Sequence, residues 1–99
     1  MSLKVQSSQP KGIFMPTPAQ LQTAYRSITE AAEKSGSIKP LKGAPVGASK
    51  ATPVNINKPG MLGVNREVYD IRGQLYLKSQ VVAPDAKAKW FKVGPAPLF

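Results

Sequence analysis

Residues 64–82 read VNREVYDIRGQLYLKSQVV, and this stretch decides the fold. Two runs rich in β-branched and aromatic residues, 64–71 and 74–82, flank Arg72-Gly73. Runs of that kind separated by two residues that include a glycine signal a hairpin, because a tight turn requires positive φ. Tyr69 and Ile71 alternate with Val68, Asp70 and Arg72, and Leu75 and Leu77 alternate with Tyr76 and Lys78. A period of two sends successive side chains to opposite faces, so the spacing predicts a half-buried antiparallel hairpin. Pro84-Asp85 marks the next turn, and residues 89–93, KWFKV, supply a third strand that Gly94, Pro95 and Pro97 end. The chain runs on to an apolar Phe99.

Upstream of the hairpin the composition changes. Residues 36–63 are rich in Gly, Pro, Ser, Ala and Lys, with Pro at 40, 45, 53 and 59. Proline lacks the N–H that a helix or a central strand needs, so neither can run through. Ile38, Leu41, Val46, Val54 and Ile56 stand isolated and look too sparse for a core. The expectation is a disordered segment or an extended arm lying on something else. Residues 1–16 form a second polar arm.

Between the arms lies a helix, residues 17–35. Thr17 serves as N-cap, Pro18 sits at the first helical position and Gln20 completes a Thr-x-x-Gln capping box. Leu21, Ala24, Tyr25, Ile28, Ala31 and Ala32 share one stripe at helical spacing. Gly36 follows as the terminating glycine, and Lys34 faces the negative end of the helix dipole. The expected fold class is therefore α+β: a small antiparallel β-hairpin or three-stranded meander with one amphipathic helix and long extended arms. The organisation runs 1–16 extended N-terminal arm, 17–35 helix, 36–63 extended basic Pro/Gly-rich arm, 64–93 small β domain, 94–99 C-terminal tail.

At 99 residues, one domain is the ceiling, and a core of this size is marginal. The usual staples of small folds are disulfides and metals. With no Cys and no His, neither a disulfide nor a thiolate or imidazole metal site is expected, and no cofactor is. No run of about 18 apolar residues predicts a transmembrane helix. The opening MSLKVQSSQPKG lacks the apolar core of a signal peptide, so a soluble, non-exported chain is expected, with no membrane partner.

Catalysis needs groups whose pKa can be matched to the task, and the pool holds five carboxylates, Tyr, Ser/Thr and Lys. Glu30 and Glu33 read as a solvated helix face. Glu67 and Asp70, three apart in a strand, point to opposite faces and cannot form a dyad. Ser8-Gln9-Pro10-Lys11 matches Ser-x-x-Lys, but without companion motifs. Gly43 to Lys50, GAPVGASK, has the glycines of a phosphate loop but not its Gly-Lys-Ser/Thr order. No enzyme and no small-molecule substrate are expected.

The net charge of +9 comes from fourteen basic residues, eleven of them Lys, against five acidic ones. The helix carries none of it, while residues 36–63 hold Lys39, Lys42, Lys50 and Lys58 without an acid. Lysine is a hydrated point charge, so the balance favours general attraction to a polyanion or acidic protein over base-specific readout. Ordering the arms costs roughly 1–2 kcal/mol per residue, which a partner surface would have to supply.

The first expectation is thus a small basic structural protein of a large assembly, best matched by a virion component such as a minor capsid, cement or head–tail joining protein. It would be made in a host cytoplasm and would bind capsid-type subunits through Lys39, Lys42, Lys50, Lys58, Trp90, Phe91 and Phe99. The second is a cytoplasmic nucleic-acid-associated protein of ribosome or genome-binding type. There Lys87, Lys89 and Lys92, interleaved with Trp90 and Phe91, would meet phosphates. The third is a regulatory module that adds strands to a partner's sheet.

Overall fold

The computed structural model describes residues 16–98; the arm at 1–15, its Ser-x-x-Lys motif and Phe99 lie outside them. Helix α1 spans Pro18–Ser35 and is closed at both ends as its sequence requires. Thr17 Oγ1 accepts the Gln20 N–H at 3.1 Å, and Gln20 Oε1 accepts the Thr17 N–H at 2.8 Å. Gly36 sits at φ 77, where its N–H reaches Glu33 O while the Ser37 N–H reaches Ala32 O. These two bonds are the pair that ends a helix on a left-handed glycine. The apolar stripe faces the sheet with one exchange: Ala31 is exposed and Thr29 is fully buried.

Five antiparallel strands form one sheet. They are β1 Lys39–Leu41, β2 Val54–Asn55, β3 Val64–Ile71, β4 Gln74–Val81 and β5 Lys89–Pro95, in the order β1-β5-β4-β3-β2. At the centre β3, β4 and β5 pair in chain order, with Val68 opposite Leu77 and Tyr69 opposite Tyr76. Arg72 and Gly73 both take positive φ, 56 and 81, which is the type I′ geometry that a twisted two-residue hairpin prefers. Asp70 Oδ1 accepts the Gly73 N–H at 3.0 Å and stiffens the turn. Between Leu75 and Tyr76 the register with β5 slips by one, leaving Val93 as the extra residue of a bulge.

The hairpin is buried on both faces at its centre, not on one. Val68, Leu75 and Leu77 pack with Tyr25, Ala32, Ile56 and Val93 beneath the helix. Tyr69 and Trp90 pack on the opposite face with Ala48.

The expectation of a hairpin or three-stranded meander with a loose 36–63 arm is corrected here. That segment supplies both edge strands. Its prolines do not prevent this, because an edge strand has an outward side that needs no donor. Pro40 pairs with Phe91 at one such edge. Ile56, one of the residues that looked too sparse for a core, is 1% exposed, and Ile38, Leu41 and Val54 are partly buried. Val46 does stay out, at 92% exposure.

The second edge is fastened by polar groups. The Ile56 N–H donates to Arg66 O at 3.0 Å. The Asn57 side chain then imitates a further strand residue, donating to Val64 O and accepting the Arg66 N–H, each at 2.8 Å. One ridge of α1 clamps the outer side: Gln22 donates to Asn55 O, and Arg26 donates to Ile56 O and Asn57 O. Two ion pairs continue it, Glu30 with Lys58 at 2.9 Å and Glu33 with Arg66 at 2.6 Å. These contacts satisfy carbonyls that would otherwise advertise an open sheet edge.

Because β1 and β2 lie at opposite edges, the link between them must cross the sheet. Helix α1 holds one face, so residues 42–53 pass over the other as a strap containing a single 3-10 turn, Ala48–Lys50. Four strand spacings amount to roughly 19 Å. Twelve residues can extend about twice as far, and the turn takes up the slack.

Candidate functional site

Register and alternation place specific side chains on the strap face. Lys39 on β1 stands directly opposite Lys92 on β5, and Lys92 stands opposite Tyr76 on β4, which stands opposite Tyr69 on β3. The neighbouring row reads Leu41, Trp90, Lys78, Glu67. The result is three lysines around an aromatic group. Lys78 Nζ lies 5.8 Å from the centre of the Trp90 ring, within cation–π range. Trp90 and Tyr69 meet with ring centres 5.1 Å apart, tilted by 46°. The strap adds Lys42 and Lys50, both exposed.

Charge is sorted between the two faces. Glu30 and Glu33 lie on α1 and are already paired. The Lys58 contact holds the Glu30 carboxyl below the ordinary carboxylate range. Asp70 points toward the helix, beside Tyr25, whose phenol is pushed up first by burial and then by that carboxylate. Asp85 sits in the exposed β4–β5 turn. Among the described residues, Glu67 is the one acid that alternation puts on the strap face, and no ion pair forms there. Burial, followed by Glu67, raises the Tyr69 phenol.

The sequence-derived residues scatter across this geometry. Lys39, Lys42, Lys50 and Lys92 gather on the strap face or the strap. Lys58 is committed to Glu30 on the helix side. Lys89 pairs with Ser79 and faces the helix side, and Lys87 is exposed in the turn, so Lys87, Lys89 and Lys92 do not act as a group. Trp90 is 9% exposed and Phe91 half-buried, each packed in the core of its own face. Lys78 completes the cluster. Its place beside Trp90 follows only from cross-strand register.

Among the described residues, no group of three His, Cys, Asp or Glu could hold a metal, and no helix is long and apolar enough to cross a membrane. An apolar patch lies at the far end of the β3–β4 hairpin. There Leu62 is 90% exposed, Val81 and Val82 are exposed too, and the Val82 N–H bonds to Gly63 O.

Fold and face define a class: an α+β module whose antiparallel sheet lies between one helix and a strap and carries a cationic row. No family model matches the chain, and neither a curated protein nor a solved structure matches it.

Proposed function

We propose that this chain is a small, non-enzymatic basic structural protein that binds the phosphate backbone of nucleic acid through its strap face. The observation that carries this reading is the Lys39–Lys92 pair. Like charges directly opposite on neighbouring strands destabilise a sheet. Here Lys78 stands diagonal to Lys92, and among the described residues no acid is ion-paired with any of the three; Glu67 stands across from Lys78 but not beside the Lys39–Lys92 pair. A multivalent anion removes that repulsion. All members are lysines, which act as point charges on phosphate and do not read bases in a fork.

Affinity should therefore fall steeply with salt and vary little with sequence. Three to five phosphate contacts give a slope of log affinity against log salt of about −2 to −4. Replacing Lys39 and Lys92 with alanine should reduce that slope by about 2. Mobility of single- and double-stranded DNA left unchanged by the protein at low salt would reject the reading.

A second reading, subunit of a larger assembly such as a virion, is favoured by the Leu62–Val81–Val82 patch. An exposed apolar group on a chain this polar suits a protein neighbour. Cross-linking from Lys42, Lys50 and Lys58 in the purified native particle would identify the neighbours, and recovery of nucleic acid alone would count against it.

A further inference from the structure

We propose that the strap, residues 42–53, is a lid, and that single-stranded nucleic acid displaces it to stack bases on Tyr76 and Trp90 between Lys39, Lys78 and Lys92. This rests on the phosphate-binding reading above and assigns it a substrate class.

The first support is how little holds the strap. Its backbone hydrogen bonds are internal: Ala48 N–H to Pro45 O, Lys50 N–H to Gly47 O and Ala51 N–H to Ala48 O. Among the described residues, no hydrogen bond joins residues 42–53 to the sheet beneath. Its packing comes from small groups, a buried Ala48, a partly buried Ala51 and a close approach of Gly47 to Ile71. Its one large aliphatic side chain, Val46, points to solvent. Few apolar contacts and no bonds to the scaffold describe a segment that opens at low cost.

The second support is what the strap covers. Beneath Ala48 lie Tyr69 and Trp90, with Tyr76 alongside and three lysines around them. Aromatic faces for bases combined with cations for phosphates make up a single-strand platform that tolerates any sequence. With the strap closed, Trp90 and Tyr69 are too buried to stack on a base, and only the phosphate contacts remain. The segment that covers the aromatics itself carries Lys42 and Lys50, so the same polyanion that docks on the sheet pulls on the lid.

Trp90 is the sole tryptophan, so its fluorescence reports on the site directly. The full chain is titrated with oligo(dT), with a DNA duplex and with inorganic polyphosphate. Oligo(dT) is expected to quench Trp90 and to bind more tightly than polyphosphate of equal charge. Ala48→Gly combined with Ala51→Gly removes two methyl groups that hold the lid, each worth about a factor of four. This variant should bind oligo(dT) about tenfold tighter by raising the open fraction, with polyphosphate affinity changing less than twofold.

Gly47→Ala is the second variant. It adds a Cβ 3.2 Å from Ile71 Cγ2 at φ +94, and should act in the same direction. Circular dichroism checks the fold of both. If all three polyanions bind without base-dependent quenching, or the variants strengthen polyphosphate binding equally, the lid is overturned and phosphate binding stands. Quenching by duplex as strong as by oligo(dT) also overturns it. If none of the three binds, both readings fall.

Discussion

Ile56 offers the sharpest test of the architecture, because it sits in a segment whose composition reads as an arm and is nonetheless 1% exposed. It packs with Tyr25, Val68 and Leu77; its N–H bonds to Arg66 O and its carbonyl accepts from Arg26. Ile56→Val deletes one methylene. The lost transfer free energy is about 0.8 kcal/mol, and a hole that relaxes only in part adds roughly 0.5 kcal/mol. The sum, about 1.3 kcal/mol, corresponds to a fall in Tm of about 5–10 °C for a domain of this size. Ile56→Ala should cost about 2–5 kcal/mol, which consumes a large part of a typical total stability. The assay is urea unfolding followed by Trp90 fluorescence, with Val46→Ala as a control in the same segment. The midpoint should move for both Ile56 variants at constant m, and stay put for Val46→Ala. If Ile56→Ala unfolds at the wild-type midpoint, residues 54–58 do not pack on the sheet and the five-stranded architecture is wrong.

Other expectations follow from single groups. Thr29 Oγ1 is buried without a hydrogen-bond partner among the described residues, so Thr29→Val, equal in shape, should raise stability by about 1 kcal/mol in the same urea assay. Arg72 holds φ 56, a left-handed conformation that asparagine adopts more readily because its short polar side chain can bond to the local backbone; Arg72→Asn should therefore raise the thermal midpoint, a gain of roughly 0.5–1 kcal/mol in stability. Tyr25 and Tyr69 both have phenols raised by burial. The unfolded chain then ionises first, so their contribution is complete below pH about 10 and is lost as pH rises beyond it. Denaturation at pH 9 to 11.5 should show stability falling with pH, and Tyr25→Phe with Tyr69→Phe should flatten that slope.

Much of the local structure was legible because it depends on neighbours in sequence. The capping box, the terminating Gly36 and the Arg72-Gly73 turn all act over six residues or fewer, and each appears where its residues place it. Strands β3 and β4 follow from alternation, which is also local, and β5 from the short KWFKV run between Pro84-Asp85 and Gly94. The edge strands were hidden for a physical reason. A strand of two or three residues has no periodicity to detect, and β1 and β2 owe their existence to partners far along the chain, Trp90 to Lys92 and Glu67 to Val68. The lysine cluster was hidden likewise. Lys39, Lys78 and Lys92 are distant in sequence, and only register makes them neighbours.

Sequence by itself determined the α+β class, the helix limits and the charge, since propensity, capping and composition are properties of short windows or sums. Tertiary structure alone decided that residues 36–63 close the sheet at both edges and cross it as a strap. That outcome rests on Ile56, Asn57 and Ala48 finding long-range partners whose burial and hydrogen bonds offset the entropy of ordering a Gly/Pro-rich chain. It also decided that Tyr69, Tyr76 and Trp90 lie on the strap side, with the lysines at its margin, while Phe91 packs beneath the helix.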